Sequence, residues 1–300
     1  MTTFLLILVG GLTTGSVLGL VALGYNVVFS STRIVNFAQG TMLVVGGYAA
    51  FAFVDRADLP IFVAFLGAIV VTVVVGVLVH LIAIRTLGKI DVASTMGWIL
   101  TTSAAGTILL DVVRKVIDSE THQIPSIAGS ILGWRGSIFY GVAIKPDDVL
   151  IVVTALALMV GFELLLSRTL IGKAFRAVSQ DKQAATLMGI NADRMVMLSF
   201  AIAGGLAAIA AVVLSQRLFV KLDNGLNLGI MAFVAAVIGG LGSTRGAIVG
   251  GYLIAFVTAI TRAYVNDGAR WEIPVVVIVF LAVLVLRPTG MFGETETEKV

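Results

Sequence analysis

The chain has 300 residues, of which 59% are hydrophobic and only 12% charged, with a formal net charge of +3 and no cysteine. About a quarter of the residues of a soluble domain are charged, so this chain cannot cover a globule with polar surface and is an integral membrane protein. Its weak positive balance, without a basic cluster interleaved with aromatics, excludes nucleic acid as a partner, and the missing cysteines exclude disulfides, thiolate metal sites and a cysteine nucleophile.

The opening residues MTTFLLILVGG carry no positive segment and no small-residue cleavage site, which predicts a retained first span rather than a signal peptide. A span needs about 20 apolar residues. Stretches 4–29, 41–54, 61–84, 92–113, 149–166, 195–214, 228–240, 246–260 and 273–286 are the predicted spans. Several are short, so the reading is an all-α polytopic domain over 1–300 with eight or nine transmembrane helices, one or two of them broken or re-entrant. Gly11, Gly15 and Gly19 place two overlapping GxxxG steps on the first span, and Gly242, Gly246 and Gly250 repeat the pattern near the C-terminus. Such stripes let helix backbones approach closely in lipid, either within one subunit or at a dimer seam.

Residues 30–40, SSTRIVNFAQG, break the apolar pattern and introduce Asn36 and Gln39; 239–246, GGLGSTRG, is a second break. Non-helical backbone at membrane depth is tolerated where it is buried in protein or lines a wet cavity. Asn36 and Gln39 are therefore candidates for the lining of a translocation path, whereas the second break also reads as a short cytoplasmic turn. His80, near a span end, reads as an interfacial residue. Residues 114–148 mix Ile, Ser and Gly with Trp134, Phe139 and Tyr140 without helical period, which predicts an external loop, either a connector or a small β-hairpin capping the outside.

The one long charged, helix-compatible interruption is 172–194, GKAFRAVSQDKQAATLMGINADR. Ala174, Phe175, Ala177, Val178, Ala185 and Met188 recur at helical spacing, and Lys173, Arg176, Gln180 and Gln183 leave a wet face. Gly189 stands where a left-handed C-terminal cap is needed, and Asn191 or Asp193 can N-cap the next span. Lysine and arginine divide eleven inside to nine outside when the first span runs inward. Four of the inner charges, Lys173, Arg176, Lys182 and Arg194, lie in this short loop, which assigns it to the cytoplasm. Residues 288–300 form a charged tail.

No acidic residue lies at the centre of a span; Asp111 and Glu163 are near span ends. Ion-coupled carriers keep ionisable groups at membrane depth, so one of these two would have to serve that role. Gly88-Lys89 and Gly172-Lys173 lack the glycine spacing and following Ser or Thr of a P-loop. The sequence shows no catalytic constellation and no metal site, and energy must come from elsewhere.

Residues 172–194 resemble the cytoplasmic loop of bacterial ABC importer permeases, and the whole chain resembles the first of the two membrane subunits of branched-chain amino acid importers. The matching motifs are Asn36-Phe37-Ala38-Gln39-Gly40, Gly172-Lys173-Ala174-Phe175-Arg176-Ala177, Ala184-Ala185, Met188-Gly189-Ile190, Gly239-Gly240-Leu241-Gly242-Ser243 with Gly246-Ala247 and Gly250-Gly251, and Arg287-Pro288-Thr289-Gly290-Met291-Phe292-Gly293. The long 114–148 loop departs from that pattern, as does Gln39, where relatives also carry histidine. The resemblance implies a multi-pass protein of the bacterial inner membrane, surrounded by membrane lipids, that moves leucine, isoleucine and valine by alternating access. It implies as partners a second homologous permease, two cytoplasmic ATPases that bind ATP-Mg, and an external binding protein. Lys173, Ala174, Arg176, Ala177, Asp181, Ala185 and Gly189 would form the ATPase-coupling segment. Urea, short amides and other amino acids are cargoes of similar scaffolds, and an ion-coupled carrier is the rival of another class.

Overall fold

The computed structural model describes residues 2–86, 95–127, 129, 133, 136–139 and 142–293. Residues 92–94 of the fourth predicted span, Lys89, Trp134, Arg135, Tyr140 and residues 294–300 of the tail, Lys299 among them, lie outside them.

Every predicted span overlaps a helix within the described residues. These are α1 (Thr2–Thr32), α2 (Gln39–Phe51), α3 (Ile61–Val79), α4 (Thr95–Val116), α5 (Pro146–Arg168), then the short α6 (Leu170–Gln180) and α7 (Lys182–Leu187), and α8 (Ala192–Ser215), α9 (Asp223–Gly239), α10 (Thr244–Tyr264) and α11 (Gly268–Leu286). Among the described residues, six helices are long and apolar enough to cross a membrane unaided: α1, α3, α5, α8, α10 and α11. α9 is apolar but shorter. Two of the helices run on into π-helical turns, α2 through Ala52–Arg56 and α3 through His80–Thr86.

α1 is the axis of the bundle, packed on α10, α8, α9 and α5, and every residue from Gly15 to Val28 is buried. α2 is buried along its whole length, the state of a helix apolar all round. Lipid gives helices little hydrophobic reason to associate, so close backbone contact has to supply the attraction. The first glycine stripe provides it within this one chain. A Cβ on Gly11 would stand 2.5 Å from the Phe256 ring, one on Gly15 2.4 Å from the Tyr252 ring, and one on Gly19 2.5 Å from Met159 Cε. Next to this seam Ser16 Oγ and Tyr252 Oη share a hydrogen bond of 3.0 Å.

The second stripe divides. Gly246 and Gly250 face α9, where a Cβ would meet the Gly239 and Ala235 carbonyl oxygens at 2.2 and 2.0 Å. Gly242 is not on a helix: it has φ +87 in the turn between α9 and α10, with no contact closer than 3.8 Å for an added Cβ. Its place in the predicted packing stripe is corrected accordingly. Glycine is needed there for the turn, because a left-handed backbone crowds any Cβ.

At the end assigned to the outside, Ser137–Phe139 (β1) and Val142–Ile144 (β2) pair as an antiparallel hairpin. The segment before them is pinned over α2. His122 exchanges backbone hydrogen bonds with Val220 (3.1 and 2.8 Å), Tyr48 Oη donates to Glu120 O, and the His122 ring stacks on Phe51 with centroids 3.6 Å apart. Asp118 bonds His122 Nε2 at 2.6 Å and Arg56 at 2.9 Å. The His122 bond, helped by the Glu120 amide and Arg56, holds the Asp118 carboxyl below its ordinary value.

Candidate functional site

The 172–194 segment is two helices rather than the single predicted one. Thr169 caps α6 by accepting from Gly172 N (3.0 Å). α6 ends at Asp181, which leaves helical geometry (φ −153, ψ 107) and accepts from Gln183 N and Ala184 N at 2.8 and 2.9 Å, capping α7. A short carboxylate competes with the helix for nearby backbone donors, which is why aspartate breaks the run here. α7 ends at Gly189 with φ +85. Gly189 N bonds Thr186 O and Ile190 N bonds Ala185 O, both at 3.0 Å, the paired bonds of a Schellman cap. Asn191 then caps α8 by accepting from Arg194 N at 3.0 Å. Asp193, the other candidate cap, instead lies 3.7 Å from Arg85 Nε.

The caps decide which side chains point where. Phe175 and Val178 turn into the bundle, and Ala185 packs with Val178 and Ala192. Ala185 is thus an anchor of the loop, not part of its outward surface as expected, and Ala174 and Ala177 are half-buried. Lys173, Arg176, Asp181 and Gly189 are exposed. Met188, which the helical spacing grouped with Ala185, is instead 69% exposed beside Leu187 at 90%. A helix end held by two caps therefore presents an apolar knob, Leu187-Met188. Helical periodicity missed this knob because the Asp181 break rotates α7 relative to α6. The signal available in the sequence was the Leu-Met pair directly before the capping glycine.

Asn36 and Gln39 are placed differently from expectation. Both are 0% exposed. Asn36 Oδ1 accepts from Ala38 N (3.1 Å), and Gln39 Nε2 donates to Ala203 O (3.1 Å). Asn36 Nδ2 and Gln39 Oε1 have no partner among the described residues. In this conformation the two amides belong to the core between α1, α2 and α8 and line no open passage. The first break itself is real, since α1 stops at Thr32 and Arg33 takes φ 57. The second break is an anchored turn. Asn26 Nδ2 donates to Gly240 O (3.1 Å) and Ser243 O (2.7 Å), while Met291 N and Phe292 N donate to Ile238 O and Gly239 O.

α4 has a feature that the sequence reading passed over. Its 22 residues are enough to cross a membrane, yet it is not among the six strongly apolar helices. Thr101, Thr102 and Thr107 bond carbonyls of their own helix, so the hydroxyls are satisfied. Thr107, Asp111 and Lys115 nevertheless stay exposed, following Ala104 in a line down one face. Such a polar stripe is poorly matched to lipid chains and well matched to protein or water.

A cavity of about 390 Å³ opens between α1 and α10 and is lined by Leu6, Ile7, Ala255 and Ala259 with Arg217 and Arg262. Arg217 is paired with buried Asp148 and Arg262 with buried Glu272, so both cations are already neutralised. Asp111 and Glu163, which an ion-coupled carrier would need buried at a cation, are both more than a third exposed and lie 3.4 and 3.2 Å from Arg114 and Arg245.

Residues 7–286 match the family described as branched-chain amino acid transport system / permease component. The chain is 33% identical to the high-affinity branched-chain amino acid transport system permease protein BraD of Pseudomonas aeruginosa, over 98% of this chain and 97% of BraD. It is 31% identical to the permease protein LivH of the corresponding Escherichia coli system, over 99% and 98%. Among solved structures, PsaBC from Streptococcus pneumoniae in complex with Fab shares the fold, with a TM-score of 0.54 at 15% identity, covering 95% of this chain and 94% of that one. With its six strongly apolar helices, the chain is a multi-pass protein of the inner membrane, and it belongs to the branched-chain amino acid permease family.

Proposed function

We propose that this chain is one of two membrane subunits of an ATP-driven importer for leucine, isoleucine and valine. The α6–α7 loop is its contact with a soluble ATPase. The observation that carries this reading is the exposed Leu187-Met188 knob at the tip of a doubly capped helix. Exposed apolar side chains on a loop that also exposes Lys173, Arg176 and Lys182 suit an apolar groove with an acidic rim on a partner. The caps make the loop stiff enough to transmit force, and Phe175 ties it to the bundle core. Closure of two ATPases around ATP-Mg then becomes a rigid-body shift of the permease helices. The permease catalyses no covalent step and binds no nucleotide itself.

The polar face of α4 is the surface we assign to the second permease and to the transient path between the two. Its exposed Thr107, Asp111 and Lys115 offer a hydroxyl acceptor and one charge of each sign, which suits a zwitterion with an aliphatic side chain, delivered from outside by a binding protein. Asn36 and Gln39 would reach such a path only after α2 and α8 separate. The test is purification of the tagged chain in gentle detergent, followed by reconstitution and uptake of labelled leucine with valine, urea and acetamide as competitors. Recovery of a Walker-motif ATPase and a second permease, with competition by valine alone, is the expected result. Recovery of the chain alone with uptake driven by an ion gradient would overturn the proposal, and competition by urea or acetamide would reassign the cargo.

A further inference from the structure

The sequence placed His80 at the membrane interface, but its side chain is buried, with the residue 1% exposed. It opens the π-helical turn that ends α3 and rests against Phe200, ring centroids 5.6 Å apart. Neither ring nitrogen has a hydrogen-bond partner among the described residues. Asp193 Oδ1 stands 3.5 Å from Nε2. A buried polar side chain without a partner is uncommon and calls for a reason, and π-helical turns cluster at functional positions. The gap exceeds a good N–H···O bond by only about 0.5 Å.

Asp193 lies on the first turn of α8, directly behind the Gly189 cap and the Asn191 cap, so it moves with the loop that carries Leu187-Met188. Its other carboxylate oxygen is 3.7 Å from Arg85 Nε, on the same π-helical segment as His80. A displacement of the loop thus opens or closes the His80–Asp193 contact, and α3 receives the change through its own last turn.

We propose that His80 is a positioning residue for transport: its imidazole donates to Asp193 in one conformation of the cycle and loses that bond in the conformation described here. This proposal rests on the reading of the α6–α7 loop as the ATPase contact. The contact biases a two-state element, and the cost of leaving the imidazole unpaired falls on one state only.

The experiment uses the full complex in proteoliposomes, reading leucine uptake, ATP hydrolysis and subunit co-purification together. Leucine-stimulated hydrolysis in the wild type tests the importer reading by itself, and its absence would remove both proposals. Given that stimulation, His80→Phe is expected to lower leucine moved per ATP roughly tenfold, the size of one hydrogen bond withheld from one state. Assembly and basal hydrolysis should stay unchanged, and His80→Gln, which keeps a donor, should restore part of the loss. Asp193→Ala, at an exposed position, should reproduce the uncoupling, whereas Arg85→Gln should stay near wild type. A wild-type ratio in His80→Phe overturns the proposal. So does an equal loss in Arg85→Gln and Asp193→Ala, which assigns the effect to the arginine pair. If His80→Phe fails to assemble, the comparison of Asp193→Ala with Arg85→Gln decides alone.

Discussion

Replacing Gly189 by valine isolates the contribution of loop geometry to transport. A Cβ added at Gly189 meets nothing within 4 Å, so the entire penalty comes from the backbone, which sits at φ +85. A left-handed conformation costs a residue with a Cβ about 1–2 kcal/mol, and a β-branched one lies at or above the top of that range. At about 2 kcal/mol the correctly capped loop becomes roughly 30-fold less populated relative to frayed forms. The protein should still insert, because the long helices do not depend on this turn. Leucine uptake by the complex should therefore fall, by at most that factor, in Gly189→Val, with the permease at wild-type abundance in the membrane. Gly189→Ala should fall between the two, and Gly189→Asn, which tolerates the left-handed region, should remain close to wild type. Wild-type uptake in Gly189→Val would refute the idea that this cap positions a coupling surface. An equally severe defect in Gly189→Asn would show that added bulk, not backbone geometry, is responsible.

Four further outcomes are expected. Leu187→Glu combined with Met188→Glu should abolish co-purification of the ATPase without lowering membrane insertion, and retained ATPase would place the contact elsewhere. Gly15→Leu drives a side chain into Tyr252, whose ring and Cα lie 2.4 and 3.0 Å from the added Cβ. It should cost about 1–3 kcal/mol and lower the thermal midpoint in detergent, whereas Gly161→Ala, with open space around it, should leave the midpoint unchanged. Asn26→Leu removes both side-chain bonds to the α9–α10 turn, whose carbonyls keep only their backbone donors Ser243 N and Ala247 N, a loss of about 1–3 kcal/mol for the two bonds. Faster hydrogen exchange confined to residues 239–244 would report it, and unchanged exchange would count against the anchor. Because the Asp118 carboxyl is held below its ordinary value of 3.8, it stabilises the folded external cap above that pH. The contribution disappears as pH falls through the lower folded value. Exchange protection of 117–126 should thus weaken in acid below about pH 4, and an acid response identical in Asp118→Asn would contradict that origin.

Local chemistry was enough to determine a good deal. Long apolar runs fixed the helices because lipid leaves a backbone no partner but itself. The left-handed cap at Gly189 and the N-cap at Asn191 were legible because each depends on a few neighbouring atoms. The ordered motifs from Asn36 to Gly293 carried the family. Direction in space was not legible. Asp181 splits the cytoplasmic segment, and that rotation sends Ala185 inward and Leu187-Met188 outward, which a single 3.6-residue period over the whole segment cannot express. Gly242 matched a packing stripe by spacing alone, but the turn gives it a different role. Asn36, Gln39 and His80 read as path-lining or interfacial residues because they are polar, and only the packing of α1, α2, α3 and α8 buries them. Burial depends on residues far away in the chain, and a sequence read by period and spacing contains no term for it.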